Sequence, residues 1–258
     1  MKKFNKTLLA AALMVAAGSA NAAIGTFDGA SELFMSVYDS SSQNTYSYDT
    51  GLTLDTLLAN ISNTAYSYSK DLSTDTNWTT NFKNVPGFNA STTVYGLLVG
   101  STQYNDVLLT SSAVGGLPLA DNDSAVMSFA GNIQIRAGEI NSGIALVNGS
   151  KVVNDGGVPG TGQFNDFNTV FGGQNSASVA GAYGSTLAFF HETTVYDANV
   201  ESQVPVLEKF AGEWKLAGNS LTFAAPVVAA VPLPAAVWMF GAGLMGMLRL
   251  NRRKSMAV

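Results

Sequence analysis

Residues 31–57 read SELFMSVYDSSSQNTYSYDTGLTLDTL, and this stretch decides the fold class. Its first nine residues carry aromatic and β-forming side chains in partial alternation, the mark of a half-buried strand. Residues 44–48 then set Tyr46 and Tyr48 on one face. Asp49-Thr50-Gly51 is a turn signal, and Leu52, Leu54 and Leu57 open a further strand or lead into a short helix. Together they predict an antiparallel hairpin or meander.

The same pattern continues outward. Residues 92–100 and 103–110 are two strand-like runs with a tight connection. A second set follows at 186–196, 210–216 and 220–223, the last two flanking the hairpin signal Ala217-Gly218-Asn219. Residues 75–82 suit a short helix capped by Asp75 or Thr74. One longer stretch breaks the β pattern. From 124 to 147, Val126, Phe129, Ala130, Ile133, Ala137, Ile140 and Ile144 recur at helical spacing, with Asp123 available as N-cap. Gly131, Gly138 and Gly143 each weaken that helix by roughly 1 kcal/mol against Ala. Residues 148–184, rich in Gly, Asn and Ser, read as a long, loosely structured connection. The expectation is a mainly β, antiparallel, β-sandwich-like ectodomain over 23–223 with about one internal helix, a linker at 224–230, and a separate C-terminal transmembrane helix.

The two ends carry addresses. Lys2, Lys3 and Lys6 precede an apolar run from Leu8 to Ala17, and Ala20-Asn21-Ala22 is a small-residue cleavage site. Residues 1–22 therefore read as a secretory signal peptide, and the mature chain is expected to begin at Ala23 after cutting by signal peptidase. At the other end no charge falls between Phe223 and Leu248. Pro226, Pro232 and Pro234 keep a helix from running through the first part of that segment. After Pro234 the residues AAVWMFGAGLMGML are apolar on every face. A helix over 234–250 is about 25 Å long. It spans a bilayer core of about 30 Å with help from its prolyl lead-in and snorkelling arginines. Arg249, Arg252, Arg253 and Lys254 form a basic stop-transfer cluster that marks the cytoplasmic side. The glycines 241, 243 and 246 match a dinucleotide fingerprint, but no βαβ unit can follow them, so that reading is rejected.

Val231, Pro232, Leu233, Pro234 and Ala235, then a glycine-rich apolar helix, then an arginine cluster at the extreme C-terminus, resemble the PEP-CTERM sorting signal in its Val-Pro-Leu-Pro-Ala variant. Leu233 stands where the commonest form of the family has glutamate. The resemblance covers about a tenth of the chain. It implies recognition by an exosortase, a membrane-embedded cysteine transpeptidase-like protease. It also implies processing near the proline motif and delivery to the cell surface or exopolysaccharide matrix of a Gram-negative bacterium. The precursor would be anchored in the inner membrane with its body outside the cytoplasm. The opening run of the body and its tryptophan-containing strand at 212–216 are similar, less specifically, to other exosortase-substrate ectodomains, which implies a β-rich body and no established activity.

The net charge of −5 conceals an asymmetry. All 18 acidic residues lie between Asp28 and Glu213, whereas three basic residues sit in the leader and four in the tail. The body keeps six basic residues against those 18, a formal charge of −12. Such a body argues against nucleic acid and anionic membrane surfaces as partners, and fits solubility outside the cell or cation-bridged polysaccharide. There is no cysteine, so neither disulfides nor thiol catalysis operate.

Little else in the body points to chemistry. His191 is the only histidine; position 195 is Val, so no zincin pair forms, and no G-x-S-x-G elbow is present. Carboxylates are plentiful but nothing singles out a pair, and the expectation is a protein that is not an enzyme and uses no cofactor. Asp121 and Asp123 are the residues a loose calcium site would use. An EF-hand counted from Asp121 fails at Val126 and Asn132, and the preferred reading is a turn whose last Asp caps the helix. Asn-x-Ser/Thr sequons occur at Asn60, Asn77, Asn89, Asn122 and Asn148, in a chain where these residues are common. Tyr38, Tyr46, Tyr48, Trp78 and Tyr95, if exposed, would form a sugar-stacking face; packing in a core is their more frequent use. Two functions follow: a surface or matrix structural protein associated with exopolysaccharide, or a carbohydrate- or calcium-binding module on the same sorting route, with a hydrolase as the weaker form of the second.

Overall fold

The computed structural model describes residues 23–26, 30–60, 62–112, 122–142, 146–147, 149–154 and 179–225. The elements run β1 (Glu32–Asp39), β2 (Asn44–Thr53), α1 (Leu54–Leu58), β3 (Tyr68–Asp71), a π-helix (Asn77–Lys83), β4 (Thr93–Ser101), β5 (Asp106–Ser111), α2 (Asp123–Asn141), β6 (Ser150–Asn154), β7 (Gly181–Ala182), β8 (Thr186–Asp197), β9 (Ser202–Ala217) and β10 (Ser220–Ala224). The protein is mainly β. All ten strands among the described residues join one sheet in the order β3-β10-β9-β8-β5-β4-β1-β2-β6, with β7 added beside β4. Every pairing is antiparallel.

The expectation from sequence is an antiparallel, β-sandwich-like body; the described strands form one antiparallel sheet that curls over its core. The curl follows from contacts between strands far apart in the order. The β3 edge and β2 are seven steps apart, about 34 Å in a flat sheet at 4.8 Å per step. Yet the Tyr68 hydroxyl on β3 donates to the Thr50 carbonyl on β2 at 3.3 Å, and Lys70 Nζ stands 5.6 Å from the Tyr48 ring centre.

Strand alternation divides β1 between two cores. Leu33, Met35 and Val37 join the concave-side cluster with Tyr46, Tyr95, Phe189, Trp214 and Phe223. Phe34 and Tyr38 join the opposite cluster with Leu98, Val107 and Leu109. The π-helix plugs the first face with Trp78 and Phe82, both fully buried and stacked on one another at 5.4 Å. Trp78 Nε1 donates to Asn219 Oδ1 in the β9–β10 turn at 3.1 Å, and Asn77 Nδ2 donates to the Ser150 carbonyl on β6 at 3.0 Å. The plug thus ties opposite ends of the sheet.

α2 covers the second face with Val126, Ala130, Ile133, Ala137 and Ile140. Gly100 on β4 lets it approach closely, because a β-carbon there would lie 2.9 Å from Ala130 Cα. The helix is shorter than the periodicity implies, ending at Asn141 rather than 147. Its N-cap is Asn122, whose side chain accepts from the Ala125 N–H at 3.0 Å, not Asp123. Lys151 of β6 closes the other end, donating to the carbonyls of Ile140 and Ser142. A cation at a helix C-terminus is favoured by the helix dipole.

Four further expectations are corrected. The Asp49–Gly51 stretch is no turn: β2 runs through it, the β1–β2 register shifts at Leu33/Phe34, and Gly51 takes φ +68°. Residues 148–184 hold two strands, β6 and β7. β9 starts at Ser202, eight residues before the sequence signal. The helix foreseen at 75–82 is a π-helix one residue longer at its end, with the Asp75 carboxylate accepting from the N–H groups of Asn77 and Trp78. The hairpin at Gly218-Asn219 forms as expected, with Gly218 at φ +60°. Among the described residues no helix is long and apolar enough to cross a membrane. The tail for which such a helix is expected lies outside them.

Candidate functional site

The sorting motif Val231–Ala235, the basic cluster Arg249, Arg252, Arg253 and Lys254, and the cleavage-site residues Ala20 and Ala22 all lie outside the described residues. Ala23 is described and exposed. Asp121 also lies outside. Asp123 Oδ1 accepts from Asn105 Nδ2 at 2.7 Å and from Thr194 Oγ1 at 2.9 Å. It therefore knots the β4–β5 turn, α2 and β8 together. Among the described residues no group of three His, Asp or Glu side chains could hold a metal ion.

The aromatic face suggested for sugar stacking is turned inward. Tyr46, Trp78 and Tyr95 are fully buried, and Tyr38 and Tyr48 nearly so. Tyr46 packs edge-on against Trp78 at 5.0 Å, and its hydroxyl donates to Asp75 Oδ2 at 2.8 Å. Burial and the Asp75 charge push its phenol well above the ordinary range. Tyr95 donates to the Ser185 carbonyl at 2.7 Å. These rings are the core of the sheet rather than a platform on it.

His191 lies on β8, as its sequence context suggests. Its Nε2 is 2.8 Å from Asp106 Oδ1 on β5, with side-chain exposures of 12% and 13%. Across the ladder His191 faces Glu208 of β9. An Asp–His pair can orient a proton, but a hydrolytic triad also needs a nucleophile at the second ring nitrogen. Among the described residues no hydroxyl hydrogen-bonds to this ring. The pair acts as a tie between neighbouring strands.

Two carboxylates stand out that the sequence did not mark. Asp39 ends β1 and accepts from the N–H groups of Ser41, Ser42 and Asn89 and from the Thr92 hydroxyl at 2.6–3.2 Å. Burial works to raise its carboxyl, but the hydrogen bonds from Thr92, Ser42 and Ser41 outweigh it and hold the group below its ordinary value. Asp49 is the opposite case. Burial, with Glu32 nearby, pushes its carboxyl up to about 6 against the single N–H donated by Gly51. Composition alone could not have separated these two aspartates, because the difference lies in how many donors the tertiary fold brings to each.

The sequons serve local structure. Asn122 caps α2, Asn77 reaches β6, Asn60 Nδ2 donates to the Thr56 carbonyl, and Asn89 Oδ1 accepts from the Ser91 N–H. Asn148 lies outside the described residues. Exposed apolar side chains gather in the β8–β9 arm, where Val195, Tyr196, Val200 and Val206 are 38–63% exposed.

The fold and these contacts define the class: an antiparallel β protein whose described polar clusters fasten elements to one another. No family model, curated protein or solved structure matches the chain.

Proposed function

We propose that this chain is an exported structural protein of the cell surface or extracellular matrix, delivered by an exosortase and associated with exopolysaccharide in a biofilm. The observation that carries the reading is the order of the tail: Val231-Pro232-Leu233-Pro234-Ala235, an uncharged apolar run to Leu248, then Arg249, Arg252, Arg253 and Lys254. The leader at 1–22 supports it from the other end, since both signals put the body outside the cytoplasm. The tail acts as a temporary transmembrane anchor and a sorting label. Signal peptidase and exosortase are the processing partners, and the membrane holds the precursor.

The body is read as non-enzymatic. Its aromatic side chains serve the core, and Asp123, the described member of the calcium candidate, is engaged by Asn105 and Thr194. Both facts weigh against the carbohydrate- or calcium-binding alternative. A body of formal charge −12 stays soluble outside the cell and repels its own copies until cations screen it.

Fractionation of cells with and without the exosortase tests this reading. The protein is expected at the surface or in the matrix when the exosortase is present, and in the inner membrane when it is absent. The same distribution in both strains would contradict sorting by this route.

A further inference from the structure

Residues 23–26 precede β1 and are fastened to the body at its far side. Ile24 is 2% exposed and joins the core beneath α2. Its N–H donates to Asn141 Oδ1 at 2.8 Å, and its carbonyl accepts from Asn141 Nδ2 at 2.9 Å, across 117 residues. Gly25 continues the clamp. Its N–H donates to Glu32 Oε2 at 2.6 Å, and its carbonyl accepts from the Glu32 N–H at 3.0 Å. Only glycine fits here, because a β-carbon would lie 2.1 Å from the Ala30 carbonyl oxygen. Asn141 is the last residue of α2, beside the two carbonyls that Lys151 holds. Ile24, Gly25 and the end of α2 therefore close together.

The expected cleavage bond, Ala22–Ala23, lies one residue before this clamp. Its hydrolysis adds water across the amide and leaves a carboxylate on Ala22 and an ammonium on Ala23. A protease has to seat the residues on both sides of that bond in a fixed reactive geometry. Ile24 cannot enter such a seat while both its backbone groups are held by Asn141 and its side chain is buried. The Cα of Ala23 is only about 3.8 Å from that of Ile24, a tether of one residue between the bond and the clamp.

We propose that docking of Ile24 and Gly25 on Asn141 and Glu32 closes the Ala22–Ala23 bond to hydrolysis, so that leader removal has to precede completion of the fold. This rests on reading residues 1–22 as a leader. Once cut, the new terminus seats itself and locks the end of α2.

The test uses the full-length precursor, residues 1–258, in detergent micelles with purified signal peptidase. One sample is folded beforehand; the other is diluted from denaturant directly into the enzyme. The folded precursor is expected to be cut at Ala22–Ala23 at least tenfold more slowly. Asn141→Ala, and separately Glu32→Ala, which removes the side-chain acceptor facing the Gly25 N–H, are expected to speed cutting of the folded precursor at least threefold. Equal rates for the folded and freshly diluted wild type would overturn the proposal, as would slow cutting unchanged in both variants. No cut at this bond in the freshly diluted chain would overturn the leader reading, and the clamp's role with it.

Discussion

At Asp49 burial and charge oppose one another. Its carboxyl titrates near 6 in the folded protein against an ordinary 3.8, because burial disfavours the anion and Glu32 adds repulsion. A raised folded value means the favourable contribution is complete below the unfolded value and is lost as pH rises through about 6. Wild type is therefore expected to lose stability at this site between pH 4 and pH 7, by at most about 3 kcal/mol. Asp49→Asn keeps an oxygen for the Gly51 N–H and removes the charge. Thermal denaturation should show the variant more stable than wild type at pH 8 and level with it at pH 4. A variant that is equally or less stable at pH 8 would contradict the burial account. Asp39 has the reverse sign, since its folded value is lowered. Its contribution is present above the ordinary carboxylate value and disappears as pH falls below it.

At the scale of elements, close packing and helix propensity make opposite demands on two glycines. Gly100 sits where α2 touches β4, and a methyl group there meets the backbone of Ala130 at 2.9 Å. Gly138 lies within α2 with nothing within 4 Å of an added β-carbon. Gly100→Ala is expected to destabilise the protein by about 1–3 kcal/mol, and Gly138→Ala to stabilise it by up to about 1 kcal/mol. Chemical denaturation of both variants checks the pair; the same sign for both would contradict this packing of α2. The π-helix is the other critical element. Trp78 is fully buried between Tyr46 and Phe82 and bonds to Asn219. Trp78→Ala should cost about 3–5 kcal/mol, a large share of a domain's whole stability. A loss below about 1 kcal/mol, read by the same denaturation, would mean that the plug does not hold the sheet.

These elements also show what the sequence could disclose. β1, β4, β8 and β10 were legible because their β-forming residues alternate within one continuous run. The core positions of α2 were legible from their spacing, but its ends were not. Asn122 and Asp123 are both good caps, and tertiary contacts chose between them: Asn105 and Thr194 engage Asp123, which leaves the cap to Asn122. The first half of β9, with Gln203, Pro205 and Glu208, lacks a continuous β-forming run and is a strand because β8 pairs with it from Phe190 to Asp197. β3 has only four residues, with Ser69, Lys70 and Asp71 among them, and it forms by adding to β10. Pairing partners far along the chain decide such strands, and local pattern does not carry that information.

For the whole molecule, the curl explains why the aromatic residues do not face solvent. An open flat sheet would leave one face wet; curling brings β3 within hydrogen-bonding reach of β2 and turns Tyr46, Tyr95, Phe189, Trp214 and Phe223 into a shared interior. The fold class could be read from strand pattern, whereas closure could not, because it depends on side chains such as Tyr68 and Trp78 meeting distant elements. The sequence of the body is acidic and its β8–β9 arm exposes apolar side chains, while the proposed address belongs to the two ends. Mass spectrometry of the C-terminus of the surface form, compared with a Pro232→Ala, Pro234→Ala variant, tests the sorting account most directly. The account predicts that the surface form ends near the Val231–Ala235 motif without its arginine cluster, and that the variant keeps Arg249 to Lys254 and stays in the membrane. An intact arginine-rich tail on the surface form of the wild-type protein would contradict it.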